Sequence, residues 1–394
     1  MKKIAVVVFV FILSVCTISV ALANVSDPIE IQSLSDFRVT SVVPSTDGTF
    51  LLSGGLGNPM KSVPVLICLD TNGVTLWSIQ SDTPYSNGAV YRDAHSADAK
   101  TTLALFPITA SEEKYEWVVQ CIRGGEVVDQ TEPVSNALSL YPTENGFLLF
   151  SKPDFSSAQV KKYDDGGNPL WQIDWEEGIM FYGVVTREDV HVAYGSNTIR
   201  ETVGDNMYDC SPTSVMIAFD DEGKILWRHD SIKPEEFKTA VWTDEGHIVL
   251  VGINPGVATE FPDRSQYDNW FITEYDELGQ LWRTNYRYSR EGKSVSSGEF
   301  HAFIPICDGY LVAIHSGKLS EQMLRLDSRG VVQAEWEEPI GDMYTKDAVA
   351  LAHIDDNHYL VASGMTTPNE QDESYADVPR LTIIKEIILP GTSN

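Results

Sequence analysis

The chain has 394 residues, with 57 Asp and Glu against 28 Lys and Arg and a formal net charge of −29. So acidic a chain repels nucleic acid and anionic membranes, and neither is an expected partner. Its apolar content of 43 % is ordinary and lets a chain of this length bury a large core.

The first element is a targeting segment. Lys2 and Lys3 form a positive n-region, Ile4 to Val20 is apolar, and Ala21-Leu22-Ala23 supplies an A-x-A cleavage signal. Residues 1–23 therefore read as a signal peptide cut before Asn24. Residues 24–394 read as one secreted domain with no membrane insertion after cleavage. A transmembrane anchor fits poorly, because the stretch that follows is polar and acidic and carries no positive stop-transfer flank. Leu13-Ser14-Val15-Cys16 is close to a lipobox, which makes lipid attachment at Cys16 the alternative.

The mature chain then repeats itself. Leu69-Asp70-Thr71-Asn72-Gly73-Val74-Thr75-Leu76-Trp77 returns as Tyr163-Asp164 through Leu170-Trp171 and as Phe219-Asp220-Asp221-Glu222-Gly223 ending in Leu226-Trp227. It returns again as Tyr275-Asp276 through Leu281-Trp282, and in decayed form as Leu326-Asp327-Ser328-Arg329-Gly330. A period of roughly 40–50 residues marks a solenoid, a propeller or an array. Each unit holds two hairpins of short β-branched or aromatic runs, bounded by Gly, Asp, Asn and Pro. No segment of the mature chain has a sustained helical period. Four antiparallel strands per unit is the content of a propeller blade.

Second strands are expected near Phe50, Leu103, Phe147, Val192, Ile248, Leu311 and Leu360. The fold class is therefore all-β: a seven-bladed β-propeller of four-stranded antiparallel blades. The second unit is the least regular, with Arg123-Gly124-Gly125-Glu126 in place of Asp-x-x-Gly. The seventh ends early, with one strand from Leu381 to Leu389. The N-terminal segment Pro28 to Ser33 is expected to pair there as an outer strand and close the ring, which removes an exposed edge. The turn Asp residues read as structural, since Asp at the first and Gly at the fourth position suit a type I turn. The Trp and Leu of the phrase read as packing between blades.

Cys68 and Cys121 occupy equivalent strands of neighbouring units, too far apart for a disulfide, and read as buried apolar residues. His95 and His353 share a repeat position with Pro44, Pro142, Trp242 and Pro305, which suggests strand-end packing. No H-E-x-x-H or C-x-x-C occurs, and no metal site or cofactor is expected.

The D-x-x-G-x-x-L-W phrase after an apolar strand resembles the repeats of PQQ-like (quinoprotein alcohol dehydrogenase-like) propellers, and more loosely those of WD40-like bacterial propellers. The resemblance implies a propeller fold. It points to the non-catalytic branch, because the chain has neither an adjacent Cys-Cys pair nor the fuller Ala-x-Asp-x-x-Thr-Gly-x-x-x-Trp phrase of the quinone enzymes. The turns are also similar to sialidase Asp-boxes, although Asp221-Glu222-Gly223-Lys224-Ile225-Leu226-Trp227 has one residue too many and lacks the leading Ser or Thr.

In such a blade the first-to-second and third-to-fourth turns share one face. The second-to-third loops and the links between blades share the other. The long insertions all belong to the second face: Ser196 to Pro212, Asn254 to Asn269, Tyr286 to Glu299 and Thr366 to Pro379. Loops on a rigid scaffold are where binding usually sits. The candidate binding residues are Tyr208, Asp209, Phe261, Asp263, Tyr267, Trp270, Tyr286, Tyr288 and Tyr375. The expected function is a monomeric, secreted binding module for an extracellular protein or glycan. A glycoside hydrolase or lyase with carboxylates in the central funnel is one alternative, and an envelope assembly scaffold is another.

Overall fold

The computed structural model describes residues 23–25, 29–30, 37–44, 49–56, 61–70, 74–81, 85–86, 93–96, 101–110, 115–154, 156–197, 200–203, 206–209, 213–254, 270–286, 299–315, 320–339, 350–355, 358–368 and 375–387. Among the described residues every regular element is a β-strand, and every pairing is antiparallel.

The strands fall into sheets in chain order. Sheet I holds Phe37–Pro44, Phe50–Leu56, Lys61–Leu69 and Thr75–Gln80, and sheet II holds Asp93–Ser96, Thr101–Ala110, Tyr115–Arg123 and Glu126–Gln130. Sheet III holds Ala137–Thr143, Gly146–Ser151, Ala158–Tyr163 and Pro169–Trp175. Sheet IV holds Ile179–Arg187, Val190–Asn197, Thr213–Asp220 and Ile225–Pro234, and sheet V holds Glu236–Trp242, Ile248–Ile253, Trp270–Asp276 and Gly279–Tyr286. Sheet VI holds Glu299–Ile306, Gly309–His315, Ser320–Asp327 and Val332–Pro339. Sheet VII holds Ala350–Asp355, His358–Pro368 and Tyr375–Ile387, flanked by the N-terminal Ala23–Val25 and Ile29–Glu30.

The first strand of each sheet touches the first strand of the next, and that of sheet VII touches that of sheet I. The arrangement is propeller-like, with first strands innermost. Each core lies between two consecutive sheets. Leu148, Phe150 and Val160 of sheet III meet Phe181, Ile217 and Phe219 of sheet IV. Val192, Tyr194 and Met216 of sheet IV meet Phe237, Leu250 and Phe271 of sheet V. Both faces of a sheet are covered in this way, so its middle strands are apolar without alternation. Phe50-Leu51-Leu52 and Val215-Met216-Ile217-Ala218-Phe219 are fully buried runs of this kind. Each such side chain contributes about 1.5–3 kcal/mol relative to exposure.

The repeated phrase is a turn with a fixed job for each letter. The Gly223 amide donates to the Asp220 carbonyl at 2.9 Å, closing a four-residue turn, and Asp220 Oδ1 accepts the Lys224 amide at 2.8 Å. Asp164 and Asp327 accept the Asn168 and Val331 amides in the same way, each at 2.8 Å. Gly167, Gly223 and Gly330 hold φ of 75°, 80° and 75°, where a Cβ is strained. Sheet II solves the same problem with two glycines: Gly124 and Gly125, at φ 56° and 86°, form a two-residue hairpin between Arg123 and Glu126.

The turn glycine also makes room for the preceding sheet. A Cβ on Gly223 would stand 2.9 Å from the Trp171 ring, and one on Gly125 would stand 2.8 Å from Trp77 Cβ. The Trp171 indole donates to the Asp221 carbonyl at 2.5 Å. In sheet V, Thr284 and Tyr286 take this role and donate to the carbonyls of Arg329 and Gly330 in the turn of sheet VI.

The leucine of the phrase departs from expectation. Cys68 pairs with Trp77 while Leu69 pairs with Thr75, so Leu76 is the extra residue of a β-bulge. Leu170, Leu226 and Leu281 are skipped in the same way. A bulge puts two adjacent residues against one partner and re-aims the side chains. The Trp thus turns toward the neighbouring sheet and the Leu toward solvent, and these four leucines are 43 to 57 % exposed.

Ile29 and Glu30 lie opposite Leu381 and Arg380, so the N-terminal segment supplies outer pairing for sheet VII. The third strand of that sheet starts earlier than expected. Thr366, Thr367 and Pro368 pair with Asp377, Ala376 and Tyr375, so much of the expected 366–379 loop is a hairpin. β-Branched Thr366, Thr367 and Val378 favour that extension. Part of the expected 196–212 loop is also regular, with Arg200–Val203 paired to Asn206–Asp209. Cys68 is buried, but Cys121 is only half-buried: it packs against the core between sheets II and III, and the strand paired beside it, Glu126–Gln130, is exposed. His95 packs against the Tyr141 ring of sheet III at 5.6 Å. Residues 1–22, which hold Cys16 and all of the expected signal segment but Ala23, lie outside the described residues.

Gly223→Ala is expected to cost about 2–4 kcal/mol, as left-handed strain adds to the clash with Trp171. Gly124→Ala meets nothing within 4 Å and should cost only the backbone term of about 1–2 kcal/mol. Urea denaturation midpoints of the two variants check the order.

Candidate functional site

Links between sheets and second-to-third connections share one end of the inner strands. At that end the first strands of sheets IV and V lie against each other. Phe181 pairs with Gly195 and Gly183 with Tyr194, so Tyr182 is the extra residue of a bulge. Phe237 pairs with Gly252 and Thr239 with Val251, so Lys238 is another. These two residues meet across the sheets, with Lys238 Nζ 4.5 Å from the centroid of the Tyr182 ring. The Lys238 ammonium also donates to Glu236 Oε2. The Tyr182 hydroxyl donates to Glu236 Oε2 at 3.4 Å and lies 3.2 Å from Ser196 Oγ. Lys238 is 29 % exposed and Glu236 16 %, so solvent reaches both. The group presents a carboxylate, an ammonium and hydroxyls, together able to donate and accept hydrogen bonds.

Two ion pairs anchor this end. Arg228 makes paired bonds to Glu177 at 3.0 and 2.6 Å, and Asn197 Nδ2 donates to the same carboxylate at 3.4 Å. Arg283 donates to Glu235 at 2.6 Å and to Asn254 Oδ1 at 3.3 Å, with its guanidinium 3.6 Å above the Phe271 ring. In both sheets the Arg follows the Trp of the phrase, and the Glu stands just before the first strand. Hydrogen bonds to Glu177 and then Asp230 raise the Arg228 pKa further above its ordinary value. These arginines tie each outer strand to its inner link.

A second ionisable cluster lies at the opposite, turn end. Lys162 of sheet III, 2 % exposed, donates to Thr143 Oγ1 at 2.5 Å and to Asp221 Oδ1 at 3.0 Å. His191 Nε2 is 2.8 Å from the same Asp221 oxygen, and its Nδ1 is 3.0 Å from Thr186 Oγ1. Burial raises the Asp221 pKa, but bonds from His191 and Lys162 outweigh it and hold the carboxyl below its usual range. Burial lowers the His191 pKa, the bond to Asp221 opposes that, and Lys162 adds to the lowering. Asp221 Oδ1 takes both Lys162 and His191, so the cluster ties sheet III to sheet IV.

The aromatic residues expected to bind are divided by the structure. Trp270 is 2 % exposed and stacked on Tyr286, with centroids 3.8 Å apart and planes at 10°. The Tyr286 hydroxyl donates to the Gly330 carbonyl, and burial followed by the charge of Asp327 raises its pKa. Trp270 and Tyr286 therefore form part of the core between sheets V and VI. Tyr208 and Asp209 stand opposite Glu201 and Arg200 in the small hairpin, and Tyr375 stands opposite Pro368. Phe261, Asp263, Tyr267 and Tyr288 lie outside the described residues. Sequence reasoning missed Tyr182, Ser196, Glu236 and Lys238. The available signal was Glu236 and Lys238, two charges inside the otherwise strand-like run Glu236 to Trp242. Among the described residues no three His, Cys, Asp or Glu side chains gather as a metal site.

No family model matches the chain, and no curated protein matches it. Solved structures do. The structure of the polysaccharide lyase Uly1 aligns with a TM-score of 0.58 at 8 % identity, covering 92 % of this chain and 99 % of that one. Hsv2 of Kluyvelomyces marxianus aligns with a TM-score of 0.48 at 10 % identity, covering 86 % and 96 %. A protein of unknown function from Dyadobacter fermentans aligns at 0.45 and 13 % identity, covering 90 % and 96 %. At such identities the likeness to the lyase shows the all-β, propeller-like fold and nothing about chemistry.

Neutral His191 gives stability a pH dependence. The unfolded chain takes up a proton below the ordinary value of 6.5, and the folded chain does so only at lower pH. Stability is therefore expected to fall as pH drops below 6.5, levelling off once the folded group titrates. His191→Gln should flatten that slope in urea denaturation series run over about pH 5 to 8.

Proposed function

We propose that the chain is an extracytoplasmic, monomeric, seven-bladed β-propeller that binds a glycan at the loop end of its inner strands. One observation carries this reading. Tyr182, Glu236 and Lys238 are held together where solvent reaches them, on innermost strands, by bulges that turn polar residues away from the apolar seams. Saccharide hydroxyls need closely spaced donors and acceptors, and this group supplies both. The closed series of inner-strand contacts supports the seven-bladed ring. The likeness to the polysaccharide lyase Uly1 suggests the ligand class. A relation to PQQ-like or WD40-like bacterial propellers remains part of the proposal through the repeated phrase alone.

At the loop end of sheets IV and V, the described carboxylates favour binding over glycoside hydrolysis. Hydrolysis needs a free pair, one of them a proton donor. Glu177, Glu235 and Glu236 each face a cation, namely Arg228, Arg283 and Lys238. A glycan array followed by calorimetry on the mature chain tests the reading. The expected result is capture of at least one glycan, weakened about tenfold or more, or about 1.4 kcal/mol, by Lys238→Met at an unchanged melting temperature. Capture of extracellular proteins without any glycan would overturn it.

A further inference from the structure

One register position of the outer strands carries an aromatic ring. Trp77, Trp171, Trp227 and Trp282 stand opposite Cys68, Lys162, Ala218 and Glu274, each just after the bulge. Their rings serve the seam with the next sheet. Trp77 and Trp171 lie over its turn glycine, while Trp227 and Trp282 pack on the core shared with it.

Sheet II keeps the bulge and lacks the ring. Ile122 pairs with Val127 and Cys121 with Asp129, so Val128 is extra and Asp129 stands in the place of the tryptophan. The turn it should cover, in sheet III, still has its glycine, with Gly167 at φ 75°. Among the described residues, a Cβ on Gly167 would meet only Thr131 Cγ2 within 4 Å, at 3.5 Å. One on Gly223 would stand 2.9 Å from the Trp171 ring. Thr131 is therefore a small substitute for an indole. Cys121, opposite Asp129, is left half-buried on the core between sheets II and III, and Val127 and Val128 are exposed. The outer rim of this seam is open where the other seams are covered.

Two observations name what fits there. The repeat itself shows the shape: the side chain that lies over a turn glycine is an indole at Gly125 and Gly223 and a phenol at Gly330. The charge is equally plain. Glu126, Asp129 and Glu132 are all exposed, and no Lys or Arg stands between Arg123 and Lys152. A cation beside the ring meets these carboxylates, whereas a second copy of a chain of net charge −29 is repelled. Aromatic anchors in small desolvated sites carry much of the energy of protein–protein contacts.

We infer that the outer rim of the seam between sheets II and III docks an aromatic side chain of a basic partner polypeptide. The ring lies over Gly167 in the place of the missing tryptophan, and its Lys or Arg neighbours face Glu126, Asp129 and Glu132. This surface is at the turn end of the outer strands, apart from the loop-end group of Tyr182, Glu236 and Lys238, and does not depend on the glycan reading.

The test is selection of a phage-displayed dodecapeptide library, with random residues around a fixed central Trp, on the mature chain. Calorimetry then follows on the enriched peptide. The expected result is enrichment of peptides with Lys or Arg beside the Trp, and loss of binding when that Trp is replaced by Ala. Asp129→Trp supplies the ring within the chain. It should weaken the peptide at least about tenfold and raise the melting temperature. Asp129→Asn keeps the shape without the charge, so it should fold as the parent does and bind more weakly, with a smaller dependence on salt. The Asn variant and the Ala peptide carry the test if Asp129→Trp does not fold. No enrichment from the library overturns the inference. So does enrichment of peptides lacking Lys and Arg, equal binding of the Ala peptide, or parent-like binding by a folded Asp129→Trp.

Discussion

The structure depends on the contact between a turn glycine and the outer strand of the sheet before it. A four-stranded sheet with two apolar faces cannot stand alone. Trp77 over Gly125, Trp171 over Gly223 and Tyr286 over Gly330 close three alternate seams from outside. The glycine is required twice at these sites, once for its positive φ and once for the space its missing Cβ leaves. The Asp that opens the turn has its carboxylate occupied by the amide four residues on, as at Asp164, Asp220 and Asp327. A phrase dense in acids and aromatics is therefore a joint.

Charges inside the molecule follow the same logic. Lys162, His191 and Asp221 lie in the seam between sheets III and IV, where desolvation is offset only because each has a partner. Arg228 and Arg283 repeat one arrangement in two sheets, each binding a Glu that precedes the inner strand. Tyr182, Glu236 and Lys238 differ in being at the inner strands, with solvent access and mixed donor and acceptor character. Bulges create that difference. On the outer strands they send leucines to solvent and aromatics to the seam; on the inner strands they take single residues out of the ladder.

Much of the fold was legible because the repeat writes its turns in residues that few other conformations need. Asp-x-x-Gly with an apolar run on each side marks a hairpin wherever it occurs, and the strands near Phe147, Val192 and Ile248 lie where that spacing puts them. The role of Leu76, Leu170, Leu226 and Leu281 was not legible. Apolar character predicts burial on average, and only the pairing register shows that these residues are extra. The site was less legible still. Trp270 and Tyr286 looked like loop aromatics, yet they begin and end strands and stack in a seam.

The sequence by itself determined the all-β class, the hairpin turns and the period of the chain. Those properties are local, set by backbone preferences of Gly and Asp and by runs of apolar residues that must be covered. Only the tertiary structure decided which side chains face one another. Pairing register fixes which residue a bulge leaves out, and neighbouring sheets fix what that residue meets. Tyr182 and Lys238 are far apart in sequence and adjacent in space for that reason.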